Sequence, residues 1–219
     1  MKSTTKKLTT SAVLIALSTV LAIVCGYIPF LNLPFGGGFT IASMLPIIVI
    51  AYMFGIRWGF FCSFLYSVIQ LALGAFVGSG YVLALFSVNS DDFMGYRAAV
   101  FIVLLDYLLA YTVLGIGGIF RNSKSKTPAL ILGSVVALCA RYLVHIVSGY
   151  IFFGTYAEWF FSQEGFYAIG NVILSNFSGA ALGIIYSVFY NGLYMIPEIV
   201  ITAVAALAVS RIPAITKAD

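Results

Sequence analysis

The chain has 219 residues, of which 62% are hydrophobic and 8% are charged, with a formal net charge of +4 at pH 7. A water-soluble domain usually carries about 25% charged residues, so this composition excludes a protein whose whole surface meets water. The Lys and Arg residues are too few and too scattered for a nucleic-acid-binding surface. We therefore expect an all-α integral membrane protein, folded as a single domain over residues 1–219 and surrounded by lipid.

Continuous apolar runs predict a bundle of six transmembrane helices. A spanning helix needs about 20 predominantly apolar residues, and these runs lack the alternation of a membrane barrel strand. The predicted helices cover approximately residues 8–29, 40–56, 58–77, 97–120, 128–154 and 179–210. The first run follows a basic start, as in a signal peptide, but further spans follow it, which favours a retained helix.

The positions of the basic residues predict the orientation in the membrane. In the six-helix arrangement, nine basic residues fall on one side of the membrane. The three loops on the other side, 30–39, 78–96 and 155–178, contain no Lys or Arg. By the positive-inside rule, the basic side is cytoplasmic, and so are the N- and C-termini. Loop 30–39 is interpreted equally well as a lid or as a plain turn, and aromatic loop 155–178 is expected along the membrane surface. The residues that define the basic side are Lys2, Lys6, Lys7, Arg57, Arg121, Lys124, Lys126, Arg211 and Lys217.

Four ionisable residues lie inside the predicted helices, where a charge is usually paired or functional. They are Asp106, Arg141, His145 and Glu198. At a rise of about 1.5 Å per residue, Asp106 and His145 lie roughly 13 Å below the outer ends of their helices. Tyr186 and Asn191 lie roughly 10 Å and 18 Å below the outer start of the last helix. This shared depth favours a ligand pocket open to the outside over groups that only satisfy one another.

The residue types at this depth indicate a class of ligand. An acid such as Asp106 in a site of low dielectric favours a cationic partner. Tyr107, Phe153 and Tyr186 offer ring faces for stacking or cation–π contact. The expected ligand is therefore a small, flat, positively charged molecule.

Two further pairs of residues have alternative interpretations. Arg141 and Glu198 lie deeper than the pocket layer, and we prefer a structural ion pair between them to a proton relay. Ala12 and Ala16 on the first helix have the four-residue spacing of small residues that permits close helix contact. Spacing alone favours internal packing for them over a docking face for another membrane subunit.

Several chemistries lack their sequence signatures. The chain has no GxxxxGK motif followed by Ser or Thr, no HExxH and no GxSxG, so we expect neither ATP hydrolysis nor enzymatic activity. Cys25, Cys62 and Cys139 have neither disulfide-framework nor zinc spacing. We therefore expect no metal site and no cofactor.

Four stretches of the chain carry distinctive residues: the glycine-rich segment 37–47, the segment 105–111 around Asp106 and Tyr107, and the segments 141–157 and 186–198. Together they resemble the thiamine-specific substrate-binding subunits, or S components, of energy-coupling factor (ECF) transporters. The resemblance implies a six-helix protein of the bacterial cell membrane that binds thiamine. It also implies, as partners, a transmembrane coupling protein and two cytoplasmic ATPases.

The same resemblance assigns roles to individual residues. It implies docking of the coupling protein at Ala12 and Ala16. Asp106 stands where the family usually has Glu and Phe153 where it usually has Trp, so a related heterocyclic cation is a further possible ligand. The substrate-binding residues implied by the resemblance are Asp106, Tyr107, His145, Phe153, Tyr186 and Asn191.

Two other functions compete with this reading. A self-sufficient proton-coupled carrier would use Asp106, His145 or Glu198 to couple protons to uptake. A membrane-embedded enzyme or scaffold is the third alternative.

Overall fold

A computed structural model of the protein describes residues 2–33, 37–77 and 80–216, and these residues form helices without a named β-strand. Residues 34–36 of loop 30–39 and Lys217 lie outside the described residues. Short helical turns occur at Pro29–Leu31, Tyr81–Ala84 and Pro213–Thr216. The main helices are α1 (Lys2–Gly26), α2 (Leu45–Phe54), α3 (Ile56–Phe76), α4 (Tyr96–Gly118), α5 (Lys126–Phe161), α6 (Tyr167–Asn176) and α7 (Gly179–Val209).

Five of the described helices, α1, α3, α4, α5 and α7, are long and apolar enough to cross a membrane. Helix α2 has 10 residues, or about 15 Å, which is about half the thickness of the hydrocarbon layer. It begins at Leu45 rather than at residue 40, because Ala42 has a left-handed backbone with φ of 56° and Pro46 favours a first helical turn. The predicted all-helical membrane fold is confirmed, whereas a sixth crossing and cytoplasmic termini remain predictions.

Helix α2 forms the centre of the bundle. Every residue from Leu45 to Met53 is buried, and the same apolar core includes residues of α3, α4, α5 and α7. The helix stops at Gly55, whose φ of 92° reverses the chain directly into α3. Arg121, after α4, donates hydrogen bonds to the carbonyl oxygens of Tyr52 and Met53, and so caps the end of α2.

The prediction that residues 155–178 form a loop is wrong for most of that segment. Helix α5 continues to Phe161, and α6 occupies Tyr167–Asn176. Burial explains the continuation, because Phe160 and Phe161 are both buried against α7. The rings of Phe160 and Tyr186 pack edge to face with their centroids 5.2 Å apart. These contacts stabilise additional helical turns that hydropathy alone does not indicate.

Glycine residues allow α4 to lie directly against α2 and α5. A Cβ atom at Gly118 would overlap the carbonyl oxygen of Ala51 in α2. A Cβ atom at Gly133 in α5 would overlap the carbonyl oxygen of Gly117 in α4. Close backbone contact of this kind is typical of helix pairs in membranes, where packing rather than the hydrophobic effect holds helices together. It fixes the position of α4, which contains Asp106 and Tyr107.

We predict that Gly133→Ala lowers the stability of the detergent-solubilised protein by about 1–3 kcal/mol, because the added methyl group forces α4 and α5 apart. The measurement is the thermal unfolding midpoint. Gly165→Ala is the matched control, since a Cβ atom there meets nothing within 4 Å. Equal unfolding midpoints for the two variants would contradict the described contact between α4 and α5.

Candidate functional site

A cavity of about 540 Å³ lies among α1, α3, α4, α5, α7 and the segment that leads into α2. Loop 30–39 contributes Asn32, Gly37 and Gly38 to its wall. The cavity brings together every residue that the sequence predicts to bind substrate, although whether they contact substrate stays a prediction. Those residues are Asp106, Tyr107, His145, Phe153, Tyr186 and Asn191.

Two helices change their winding where they meet the cavity. Residues Val103–Leu109 of α4 and Gly149–Phe153 of α5 form π-helical turns, which are rare and frequently occur at functional sites. A π-turn has more residues per turn, so the rotation between successive side chains is smaller than in an α-helix. This explains how the neighbouring residues Asp106 and Tyr107 both face the cavity.

The Asp106 carboxylate is held by two side chains of α5. Asp106 Oδ1 lies 2.9 Å from His145 Nδ1, and the Ser148 hydroxyl donates to Asp106 Oδ2 over 2.7 Å. The carboxyl side chain is 20% exposed, which leaves part of it open to the cavity. Sequence reasoning missed Ser148, although its position three residues after His145 places both on one helix face.

Arg141 continues this line of polar groups. Its Nε donates to His145 Nε2 over 3.1 Å, and Nη1 contacts the sulfur of Met44. The guanidinium carbon lies 4.0 Å from the centroid of the Tyr111 ring, a cation–π geometry. Asp106, His145 and Arg141 therefore form one hydrogen-bonded chain between α4 and α5.

The predicted ion pair between Arg141 and Glu198 is not formed. Within the described part of the chain, the salt bridge that meets a 4.0 Å limit joins His145 and Asp106. Glu198 instead accepts hydrogen bonds from the Thr40 amide over 2.5 Å and from the Thr40 hydroxyl over 2.8 Å. The Thr202 hydroxyl donates to it over 3.2 Å. The correction has a physical reason: hydroxyl and amide donors near α2 satisfy the carboxylate, while Arg141 points along α5.

Glu198 thereby joins the start of the α2 segment to α7. The glutamate is 1% exposed, so its hydrogen bonds to Thr40 are shielded from competing solvent. A second attachment lies nearby, where the Gly37 amide donates to the Tyr190 hydroxyl of α7 over 3.2 Å. The described residues 37–40, which lead into α2, are therefore bound to α7 at two points beside the cavity.

Tyrosines of α7 form an aromatic wall. Tyr186, Tyr190 and Tyr194 recur every four residues and all line the cavity. The rings of Tyr186 and Tyr190 are nearly parallel, at 24°, with centroids 5.8 Å apart. Sequence reasoning did not assign Tyr190 and Tyr194 to the site, although the four-residue spacing places them on the same helix face as Tyr186.

Asn191 makes hydrogen bonds within α7 and across to α5. Its amide nitrogen donates to the carbonyl oxygen of His145 over 3.2 Å and to that of Ser187 over 2.8 Å. Its amide oxygen accepts a hydrogen bond from the Tyr194 hydroxyl. Asn191 thus ties α7 to α5 at the level of His145.

Tyr81, in the short helical turn before α4, also lines the cavity. Burial, and secondarily the negative charge of Asp106, raises the pKa of the Tyr81 hydroxyl. The hydroxyl therefore stays protonated at neutral pH and remains a hydrogen-bond donor. Neither hydropathy nor spacing identifies this tyrosine from the sequence.

The two alanines of α1 lie on a surface away from the cavity. Ala12 and Ala16 are exposed, whereas Ser11 and Ser18 are buried toward the bundle. Ser11 accepts a hydrogen bond from the Trp58 indole over 2.9 Å, and Ser18 donates to the Ser43 carbonyl over 2.6 Å. The serine face of α1 therefore makes the internal contacts, and Ala12 and Ala16 lie on its exposed face.

We predict that Glu198→Ala lowers the thermal stability of the ligand-free protein by about 1–3 kcal/mol, because it leaves the Thr40 and Thr202 donors without their acceptor. Unfolding of the purified protein in detergent measures the change. Glu164→Ala, which removes an exposed carboxylate, is the control. A variant at position 198 as stable as the control would show that the contact with Thr40 contributes nothing.

Comparison with known proteins gives the family. The model of the thiamine transporter protein (Thia_YuaJ) family matches residues 8–96 and 77–215. The chain is 29% identical over 219 residues to a protein of Bacillus subtilis (strain 168) named thiamine transporter ThiT, an alignment that covers 95% of this chain and 92% of that protein. With its apolar helices, this chain is a multi-pass protein of the bacterial cell membrane. The chain belongs to the thiamine transporter protein family.

Proposed function

We propose that this chain is the thiamine-binding subunit of an ECF-type vitamin uptake transporter. It captures thiamine from outside the cell in the cavity between α4, α5 and α7, and partner ATPases supply the energy for release inside. The observation that carries the proposal is the Asp106 carboxylate, held by His145 and Ser148 in a cavity walled with aromatic rings.

The chemistry of thiamine matches these groups. Thiamine is a cation, with a positively charged thiazolium ring joined to a flat aminopyrimidine ring. The Asp106 carboxylate supplies an opposite charge in a site of low dielectric, where the attraction is stronger than in water. The faces of Tyr186 and Phe153 supply stacking and cation–π contacts, which contribute about 0.5–2 kcal/mol each. Tyr107 and His145 complete the polar contacts.

The dimensions of the cavity agree with a small-molecule ligand. Its volume of about 540 Å³ falls within the range of about 300–1,000 Å³ that is usual for such sites. Asp106 is one methylene group shorter than the Glu that is usual in thiamine-specific S components, but two donors orient it. Phe153 offers a smaller ring face than Trp, and the tyrosines of α7 add ring surface beside it.

The energy source lies outside this chain. The sequence contains no phosphate-binding loop of the Walker type, so ATP hydrolysis requires a partner. The exposed Ala12 and Ala16 on α1 offer a smooth surface on which another membrane helix can pack closely. We assign this surface to a transmembrane coupling protein, which links the loaded subunit to two cytoplasmic ATPases.

We predict that Asp106→Asn weakens thiamine binding more than tenfold, because it removes the charge that faces the cation while preserving the size of the side chain. Isothermal titration calorimetry of the purified protein measures the affinity. Asp92→Asn, in an exposed loop, controls for the change in net charge. An unchanged affinity in the Asp106 variant would assign Asp106 a purely structural role.

We predict that the purified chain, reconstituted alone in liposomes, binds thiamine but does not accumulate it under a proton gradient. Uptake requires addition of the coupling protein and ATPases together with ATP. Radiolabelled thiamine measures both activities, and liposomes without protein give the background. Accumulation driven by a proton gradient without partners would replace this proposal with the proton-coupled carrier.

A further inference from the structure

His145, the single histidine of the sequence, has a partner on each ring nitrogen. Nε2 faces Arg141 Nε at 3.1 Å, and Nδ1 faces Asp106 Oδ1 at 2.9 Å. An arginine side chain has only donors and does not deprotonate in proteins, so Nε2 must be the acceptor. In a neutral imidazole the proton then lies on Nδ1, from which it is donated to Asp106.

We propose that Arg141 is a positioning residue of the binding site that keeps His145 neutral. The Asp106 carboxylate accepts the Nδ1 proton, and Arg141, by donating to Nε2, keeps the imidazole from acquiring a second proton. No imidazolium then stands beside Asp106 to offset the negative charge that its carboxylate presents to the cavity. The effect on thiamine rests on the proposed function, whereas the protonation state of His145 is a property of the ligand-free protein.

Protonation of Nε2 would be unfavourable for two reasons. It would turn the acceptor into a donor, so that two N–H groups 3.1 Å apart would face each other in place of a hydrogen bond. It would also create a second positive charge beside the guanidinium in a region of low dielectric, where like charges repel strongly. Arg141 is 7% exposed and stacks on the Tyr111 ring, so the surroundings restrain it from turning away.

The other groups that face His145 and Arg141 are compatible with the hydrogen bond between them. From α4, Asp106 faces His145; from α7, the ring of Tyr194 meets the imidazole edge to face, with centroids 5.8 Å apart. Glu198 on α7 is held by threonine donors and makes no salt bridge to Arg141 within the described residues. Asp106 therefore holds the proton on Nδ1, and Arg141 is the group that keeps Nε2 without one.

Removal of this partner would change how the site responds to pH. An imidazole with a free Nε2 usually takes up its second proton near pH 6.5. An imidazolium beside Asp106 would neutralise the carboxylate as the pH falls. A cationic ligand would then bind more weakly at low pH, whereas the site with Arg141 would bind it with little pH dependence.

Two substitutions separate the hydrogen bond from the charge and the packing. In Arg141→Gln, the amide nitrogen lies the same number of bonds from Cα as Nε of arginine, so a donor is kept without the charge. In Arg141→Met, a methyl group occupies that place, so the donor is lost while the chain length is kept. Arg97→Met, at an exposed position, controls for the loss of one positive charge.

Nitrogen-15 NMR of the ligand-free protein, labelled in its single histidine, tests the proposal directly. Between about pH 5.5 and 8, where histidines ordinarily titrate, the wild type should keep Nδ1 protonated and Nε2 unprotonated, as should Arg97→Met. At pH 8 both Arg141 variants should keep the Nδ1 proton, which Asp106 accepts. As the pH falls, Arg141→Met should gain a second proton on Nε2, and Arg141→Gln, which keeps a donor toward Nε2, should gain it at a lower pH than Arg141→Met. Protonated Nε2 in the wild type, or a spectrum of Arg141→Met identical to that of the wild type, would overturn the proposal. If Arg141→Met does not fold, the protonation of Nε2 in the wild-type spectra over this pH range tests the proposal without it.

Calorimetry with thiamine then tests the consequence for binding. From pH 8 to pH 6.5, the affinity of Arg141→Met should fall about threefold or more, because the imidazolium cancels part of the carboxylate charge. The thiamine affinity of the wild type should change less than about twofold over the same range, because Arg141 keeps its imidazole neutral. Equal pH dependence of the affinity in the two proteins would show that Arg141 does not influence thiamine binding through His145. No thiamine binding by the wild type would contradict the proposed function, while the NMR result would still decide the protonation state of His145.

Discussion

An ionised carboxylate inside a helical membrane bundle needs donors around it, because lipid and apolar side chains supply none. In this protein the requirement is met by the chain that runs from Asp106 through His145 to Arg141, with Ser148 as a second donor to Asp106. The chain joins α4 to α5 and leaves part of the carboxylate open to the cavity. The same contacts thus hold α4 and α5 together and orient the carboxylate that a cation would meet.

Close packing of α2, α4 and α5 makes this arrangement possible. Gly117, Gly118 and Gly133 bring the helix backbones together, and the buried α2 fills the centre of the bundle. The segment between α1 and α2 is then attached to α7 through Thr40–Glu198 and Gly37–Tyr190. The position of this segment beside the cavity therefore depends on the same helix that supplies the tyrosine wall.

Much of this could be predicted from the sequence, because long apolar runs and rare intramembrane charges are strong signals. The depth estimate correctly placed Asp106 and His145 on the same level, and the structure joins them. It could not show that Glu198 bonds to Thr40 instead of Arg141, since helix depth does not determine how side chains turn. The continuation of α5 to Phe161 was missed because it depends on burial against α7, which hydropathy does not report. Tyr81 is not predicted as a site residue because its helical turn of four residues is too short to show a periodic pattern.

We propose that Asp106, within its line of donors, forms the charged centre of a thiamine site. A crystal structure of the protein with thiamine bound would locate the ligand. Thiamine should lie inside the cavity, with its positive charge near Asp106 and its rings against the aromatic wall of α7. Thiamine bound elsewhere on the protein, or bound in the cavity with Asp106 turned away from it, would exclude this role of Asp106.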